Sequence, residues 1–211
     1  MRKAALSLFL LCFADPRIAS PATGTQSEMT VVLDFDHPYS RVSLNAMKSE
    51  LRRLLKPIGI TLDLELKADL EPHAVFNDLM LFEMKGACTM EPLPVGAVLD
   101  ERGPLGMTHS SDGELMPFGE VDCDRVRSSI QEILGSDDPY RHQLQYGFAL
   151  SMVIAHEMYH IITKSPVHTK SGVTKESLSP QELLNGGLGF PRSAQVELRE
   201  SLRGRNLPTG D

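Results

Sequence analysis

The sequence predicts one α+β domain, a small mixed sheet with a crossover helix packed on a single central helix. Three observations lead there. A strand-like run, an amphipathic helix and an alternating strand follow one another early in the chain. Further short strand candidates come after them, and a long helix, apolar nearly all round in its middle, occupies the second half. The chain has 211 residues, of which 41% are hydrophobic, so a core of ordinary size can form and disorder is excluded.

The elements follow in order. Residues 1–22 have the layout of a secretory signal peptide: Arg2 and Lys3, an apolar run from Ala4 to Ala14, and a small-x-small site at Ser20, Pro21 and Ala22. The run is too short to span a bilayer, so no stable membrane anchor is expected, and a secreted or periplasmic location is. Cleavage after Ala22 leaves a single domain over residues 23–211. It removes three basic residues and one acidic residue, which moves the formal charge from -7 to -9.

Residues 29–35 (MTVVLDF) form a compact β-branched run and read as a buried strand. Ser40 can cap a helix in which Val42, Leu44, Met47, Leu51, Leu54 and Leu55 recur at helical spacing until Pro57 and Gly59 end it. Residues 60–67 alternate cleanly, with Ile60, Leu62, Leu64 and Leu66 on one face, and residues 79–84 supply another strand. The intervening helix is long enough for a parallel crossover.

A Pro/Gly-rich stretch over residues 91–119 contains strand candidates near Met107 and at residues 115–121, the latter read as an edge strand because of Pro117. Asp124 can cap a helix that ends at Gly135. Asp138 before Pro139 then opens a helix running to about Thr163, stopped by Pro166. Beyond it, Ser179, Pro180 and Glu182 fit a capping box, and residues 185–189 read as a helix C-cap and loop.

Composition excludes some functions. With 28 acidic against 21 basic residues and no basic stretch, the chain does not look like a nucleic-acid binder. Three cysteines are too few for a disulfide-built miniprotein. Cys12 leaves with the signal, so Cys88 and Cys123 remain as a possible disulfide in an oxidising compartment.

The chemistry is concentrated at residues 156–160, which read His156-Glu157-Met158-Tyr159-His160, an H-E-x-x-H pattern on the long helix. Leu144, Phe148, Met152, His156 and His160 are spaced by four, so the two imidazoles continue an inward-facing stripe. One turn apart, they can share a single zinc ion at about 2.0 to 2.1 Å. Glu157 sits beside the first imidazole, where it can take a proton from zinc-bound water and pass it to a leaving amine.

A catalytic zinc takes a third protein ligand, and His168, reached after Ser165-Pro166 breaks the helix, is the first choice. Glu176 or Glu182 would instead complete a two-His, one-Glu set, and Cys123 a Cys-His-His set. His109, in a Ser/Gly-rich loop, is a candidate for lining the cleft. Asp122-x-Asp124 lacks the glycine and distal Glu of a calcium loop.

The H-E-x-x-H helix with a third histidine soon after it resembles the zincin-type zinc metallopeptidases, and within them the metzincin branch, including small bacterial and archaemetzincin-like proteins. That resemblance implies a zincin-like fold, one catalytic zinc held by His156, His160 and His168, and Glu157 as general base. It implies a peptide or protein substrate lying extended along an edge strand, for which residues 115–121 are the candidate. The chain departs from the metzincin pattern at Thr163 and Pro166, which stand where that pattern has glycine and the third ligand, and no methionine follows His168 closely. A secreted zinc-binding protein of this fold without hydrolytic activity, acting as an interaction module, is the alternative reading.

Overall fold

Strand β1 (Ser27–Phe35) is an interior strand of a five-stranded sheet in the computed structural model, which describes residues 27–91, 103–135 and 138–205. The residues of the expected signal peptide and its cleavage site lie outside those described. Met29, Val31 and Leu33 alternate into the core, and Val32 on the opposite face is buried too, as suits a strand flanked on both sides. Helix α1 (Arg41–Leu55) follows, and the Ser40 side chain accepts from the Ser43 amide as an N-cap. Pro57 is accommodated in a short 3₁₀ turn, and Gly59 at φ 91° then reverses the chain. Strand β2 (Ile60–Leu66) returns parallel to β1, so α1 is the crossover that the spacing predicts.

Strands β3 (Leu79–Lys85), β4 (Gly106–Ser111) and β5 (Glu114–Asp122) complete the sheet in the order β2-β1-β3-β5-β4. The first four are parallel, and β4 pairs antiparallel to β5 as one edge. The expectation that residues 115–121 form an edge is therefore corrected: β5 lies between β3 and β4. Pro117 is tolerated because pairing with β3 begins only at Phe118, and the pairing with β4 is irregular between Thr108 and Ser110.

Helix α2 (Cys123–Gln131) starts two residues earlier than expected. Its N-cap is Asp122, whose side chain accepts from the Arg125 amide, while Asp124 accepts from the buried Arg127 guanidinium. Cys88 and Cys123, a possible pair from the sequence, form a disulfide with a Cα–Cα distance of 4.9 Å, joining the segment after β3 to the first turn of α2.

Helix α3 (Pro139–Thr163) is capped by Asp138, with Pro139 at its first position. Almost every residue from Tyr146 to Ile162 is buried, because α1, α2, β4, β5 and a C-terminal helix all pack on it. Gly147 sits at the α1 contact, with α1 so close that a Cβ would lie 2.4 Å from the Ser43 carbonyl oxygen. Across the same contact the Ser43 hydroxyl donates to Gln143.

Helix α4 (Pro180–Leu183) has the predicted capping box, with Ser179 and Glu182 satisfying each other's backbone amides. Helix α5 (Arg192–Arg205) was not expected from the sequence. It buries Ala194, Leu198 and Leu202 and places the Arg205 guanidinium on the Ile161 and Ile162 carbonyls at the end of α3. Those carbonyls have no intrahelical donor, so the guanidinium supplies one. No described helix is long and apolar enough to cross a membrane.

Candidate metal centre

His156 and His160 occupy the last two turns of α3 and project from one side of it, as residues four apart must. The helix ends at Lys164, which takes a left-handed conformation at φ 52°, and Pro166 prevents its resumption. The chain turns back there and brings His168 beneath the helix end. The Nε2 atom of His160 lies 3.0 Å from His156 Nε2 and 3.2 Å from His168 Nε2, and the three ligand atoms fall within 4.8 Å of one another.

The outer nitrogens of the helical pair are committed. His156 Nδ1 donates to the Val173 carbonyl at 2.9 Å and His160 Nδ1 to the Ser165 carbonyl at 2.7 Å. A carbonyl only accepts, so both Nδ1 atoms carry the proton and both Nε2 atoms of the neutral rings present lone pairs. Two lone pairs aimed at each other across 3.0 Å repel unless a cation lies between them. Burial holds both imidazoles below the ordinary value for histidine, which keeps them in the neutral form that metals bind. The donor set, three imidazole nitrogens with two oriented by carbonyls, is one that zinc could occupy.

Glu157 is only 6% exposed and points toward β4, where Thr108 Oγ1 donates to its Oε2 at 2.7 Å. Burial pushes the carboxyl above the ordinary glutamate range, and the Thr108 hydrogen bond and the neighbouring imidazoles act in the opposite direction. His156, Glu157, His160 and His168 share a cleft of about 510 Å³ with Gly106 and Met107 of β4 and the apolar side chains of Leu105, Val153, Leu178 and Leu183. That is large enough for several atoms of an extended ligand beside the histidines.

The other candidates separate clearly. Glu176 lines the same cleft and is exposed. Glu182 is engaged by Lys175 Nζ at 2.7 Å and by Ser179, which hold its carboxyl down at about 2. Cys123 is in the disulfide and has no thiolate to offer. His109 is not among the described residues that line the cleft; the β4 wall there is built by Gly106 and Met107. Sequence reasoning missed Thr108 and Gly106, which lie about fifty residues before Glu157 and carry no local signature.

The sheet order, the crossover helix and the buried α3 with its terminal histidines define an α+β fold of the zincin-like class. A solved structure shares it: the crystal structure of archaemetzincin from Methanopyrus kandleri is similar at a TM-score of 0.51 over 87% of this chain and 98% of that one, at 11% sequence identity. At that identity the likeness is one of fold. No protein-family model and no curated protein matches the chain.

Proposed function

We propose that the protein is an exported zinc metallopeptidase in which His156, His160 and His168 hold one zinc ion and Glu157 is the general base. The observation that supports this most is the convergence of three imidazole nitrogens, two of them stripped of any other role by the backbone carbonyls of Ser165 and Val173, one residue from a buried carboxylate. A bound zinc ion supplies Lewis acidity, making water a nucleophile near neutral pH and polarising a carbonyl. Glu157 accepts the proton of the attacking water and returns it to the departing amine. The substrate lies extended along β4, which is an edge strand among the described residues and whose Gly106 and Met107 line the cleft.

Export through residues 1–22 is part of the same proposal and is supported by the Cys88–Cys123 disulfide, since such bonds persist in oxidising compartments. Metal analysis of the purified chain tests the site: the expected result is one equivalent of zinc, and less than about half an equivalent removes the zinc reading. The Glu157→Gln variant is expected to keep the zinc and lose peptide cleavage. His168→Ala is expected to bind zinc at least about a hundredfold more weakly, since losing even a partner that only orients a ligand costs about ten- to a hundredfold, and unchanged affinity would return the third position to Glu176. A chain that holds zinc but cleaves no peptide from a mixed library would favour the interaction-module alternative.

A further inference from the structure

We propose that Thr108 is a positioning residue for Glu157: from the edge strand its hydroxyl holds one carboxylate oxygen, so that the carboxylate is presented to the cleft in a single orientation. This rests on the reading of Glu157 as general base. Thr108 lies on β4, paired with Gly119, at the point where the β4–β5 register shifts. Gly106, two residues earlier and so on the same face of the strand, lies against α3. A Cβ at Gly106 would lie 2.6 Å from Val153 Cγ1 and 3.2 Å from Glu157 Cγ. The absence of a side chain there lets the β4 backbone close on the turn of α3 that carries Glu157, which brings the Thr108 hydroxyl within 2.7 Å of Oε2.

The bond is directional. A hydroxyl has one proton to give, and the other acceptor near it, the Glu157 carbonyl oxygen, is farther away at 3.4 Å. The hydroxyl thereby gives one oxygen of this buried carboxylate a hydrogen-bond partner. The glutamate side chain has three torsions, and the buried slot between Val153 and β4 with a donor at its end selects one combination of them. None of the three histidine nitrogens hydrogen-bonds Thr108, which confines its influence to the carboxylate.

The test uses the full zinc-loaded chain with Thr108→Val, which keeps the β-branched shape and removes only the hydroxyl, and Thr108→Ser, which restores a hydroxyl. Thr108→Val is expected to lose about ten- to a hundredfold in kcat with KM within about twofold, as for removal of a partner that orients a site group. Thr108→Ser is expected to recover most of that loss. Zinc affinity, read by competition with a chelating dye, is expected to stay within about threefold in both variants. Thr108→Val turning over as fast as the wild type overturns the proposal, as does Thr108→Ser being as slow as Thr108→Val. Zinc affinity falling in step with kcat overturns it as well, because Thr108 would then be supporting the whole centre. A wild-type chain without peptidase activity is a different failure: it removes the peptidase reading, and this proposal with it.

Discussion

Replacing Gly147 by Ala sets two effects of opposite sign against each other. In a helix interior the change normally helps, by about 1 kcal/mol, because alanine has the best helix propensity and glycine among the worst. Here the added methyl would stand 2.4 Å from the Ser43 carbonyl oxygen, 2.7 Å from the Ala46 Cβ and 3.1 Å from the Met47 amide nitrogen. Comfortable non-bonded separations are about 3.5 Å, so α1 and α3 must part by close to an ångström. Two of the three obstacles are backbone on the buried face of α1 and cannot rotate aside. Overpacking of this kind costs about 1 to 3 kcal/mol, and rigid obstacles put it near the top of that range. The net expectation is a destabilisation of about 2 kcal/mol, a fall in Tm of about 4 to 8 °C for a chain of this size. The assay is thermal denaturation in the presence of a chelator, so that bound metal does not add its own stabilisation. Gly204→Ala in α5 is the control, because nothing lies within 4 Å of its would-be Cβ. It is expected to leave Tm unchanged or raise it, by at most about 4 °C. A Gly147→Ala variant as stable as the wild type would refute the close approach of α1 to α3.

Two further outcomes are expected. The Cys88–Cys123 bond closes a loop across a sequence separation of 35, worth about 4 kcal/mol in the chain-entropy model, so the Cys88→Ser/Cys123→Ser double variant should melt about 8 to 16 °C lower. Melting curves of the wild type with and without reductant check this, since reduction should reproduce the loss in the wild type and leave the variant unmoved. The second concerns pH. Burial depresses His156 and His160 from their ordinary value of 6.5, so the unfolded chain binds more protons than the folded one, and stability is lost as the pH falls through 6.5. Glu157, raised from 4.5, acts in the opposite sense, gaining stability as it protonates on acidification. Metal-free Glu157→Gln should therefore lose more Tm as the pH is lowered from 7.5 to 4.5 than the metal-free wild type; a smaller loss would reverse the assigned signs.

The parts of the fold that were legible are those set by local chemistry. Asp138-Pro139 marks the start of α3 because a cap and a fixed φ act within one turn, and Ser179 with Glu182 marks α4 for the same reason. The parallel β1–α1–β2 unit was readable because chain length and periodicity leave few other connections. Strand order in the second half was not, since β5 inserts between β3 and β4 through pairings that no local pattern encodes. Asp122 and Asp124 compete for one cap, and the side chain of Arg127 decides by engaging Asp124. Helix α5 escaped notice because only Ala194, Leu198 and Leu202 are buried on an otherwise polar segment, a stripe too narrow to stand out. At the candidate centre, His156, Glu157 and His160 announce themselves by spacing. His168 was reachable because Pro166 forces a turn nearby, whereas Thr108 meets Glu157 only once the sheet has formed.

The carbonyls of Ser165 and Val173 that orient His160 and His156 belong to the main chain, so their acceptor chemistry is indifferent to which side chains stand at those positions. His168 apart, the loop can therefore change in composition, and within the limits of its two anchor points in length, without altering the polarity of either helical ring. A search by residue identity looks for letters, and at these two anchors the orienting groups leave none to find. Besides His168, what constrains the loop is the path of its backbone past the two helical histidines, a property of shape that many unlike sequences can satisfy.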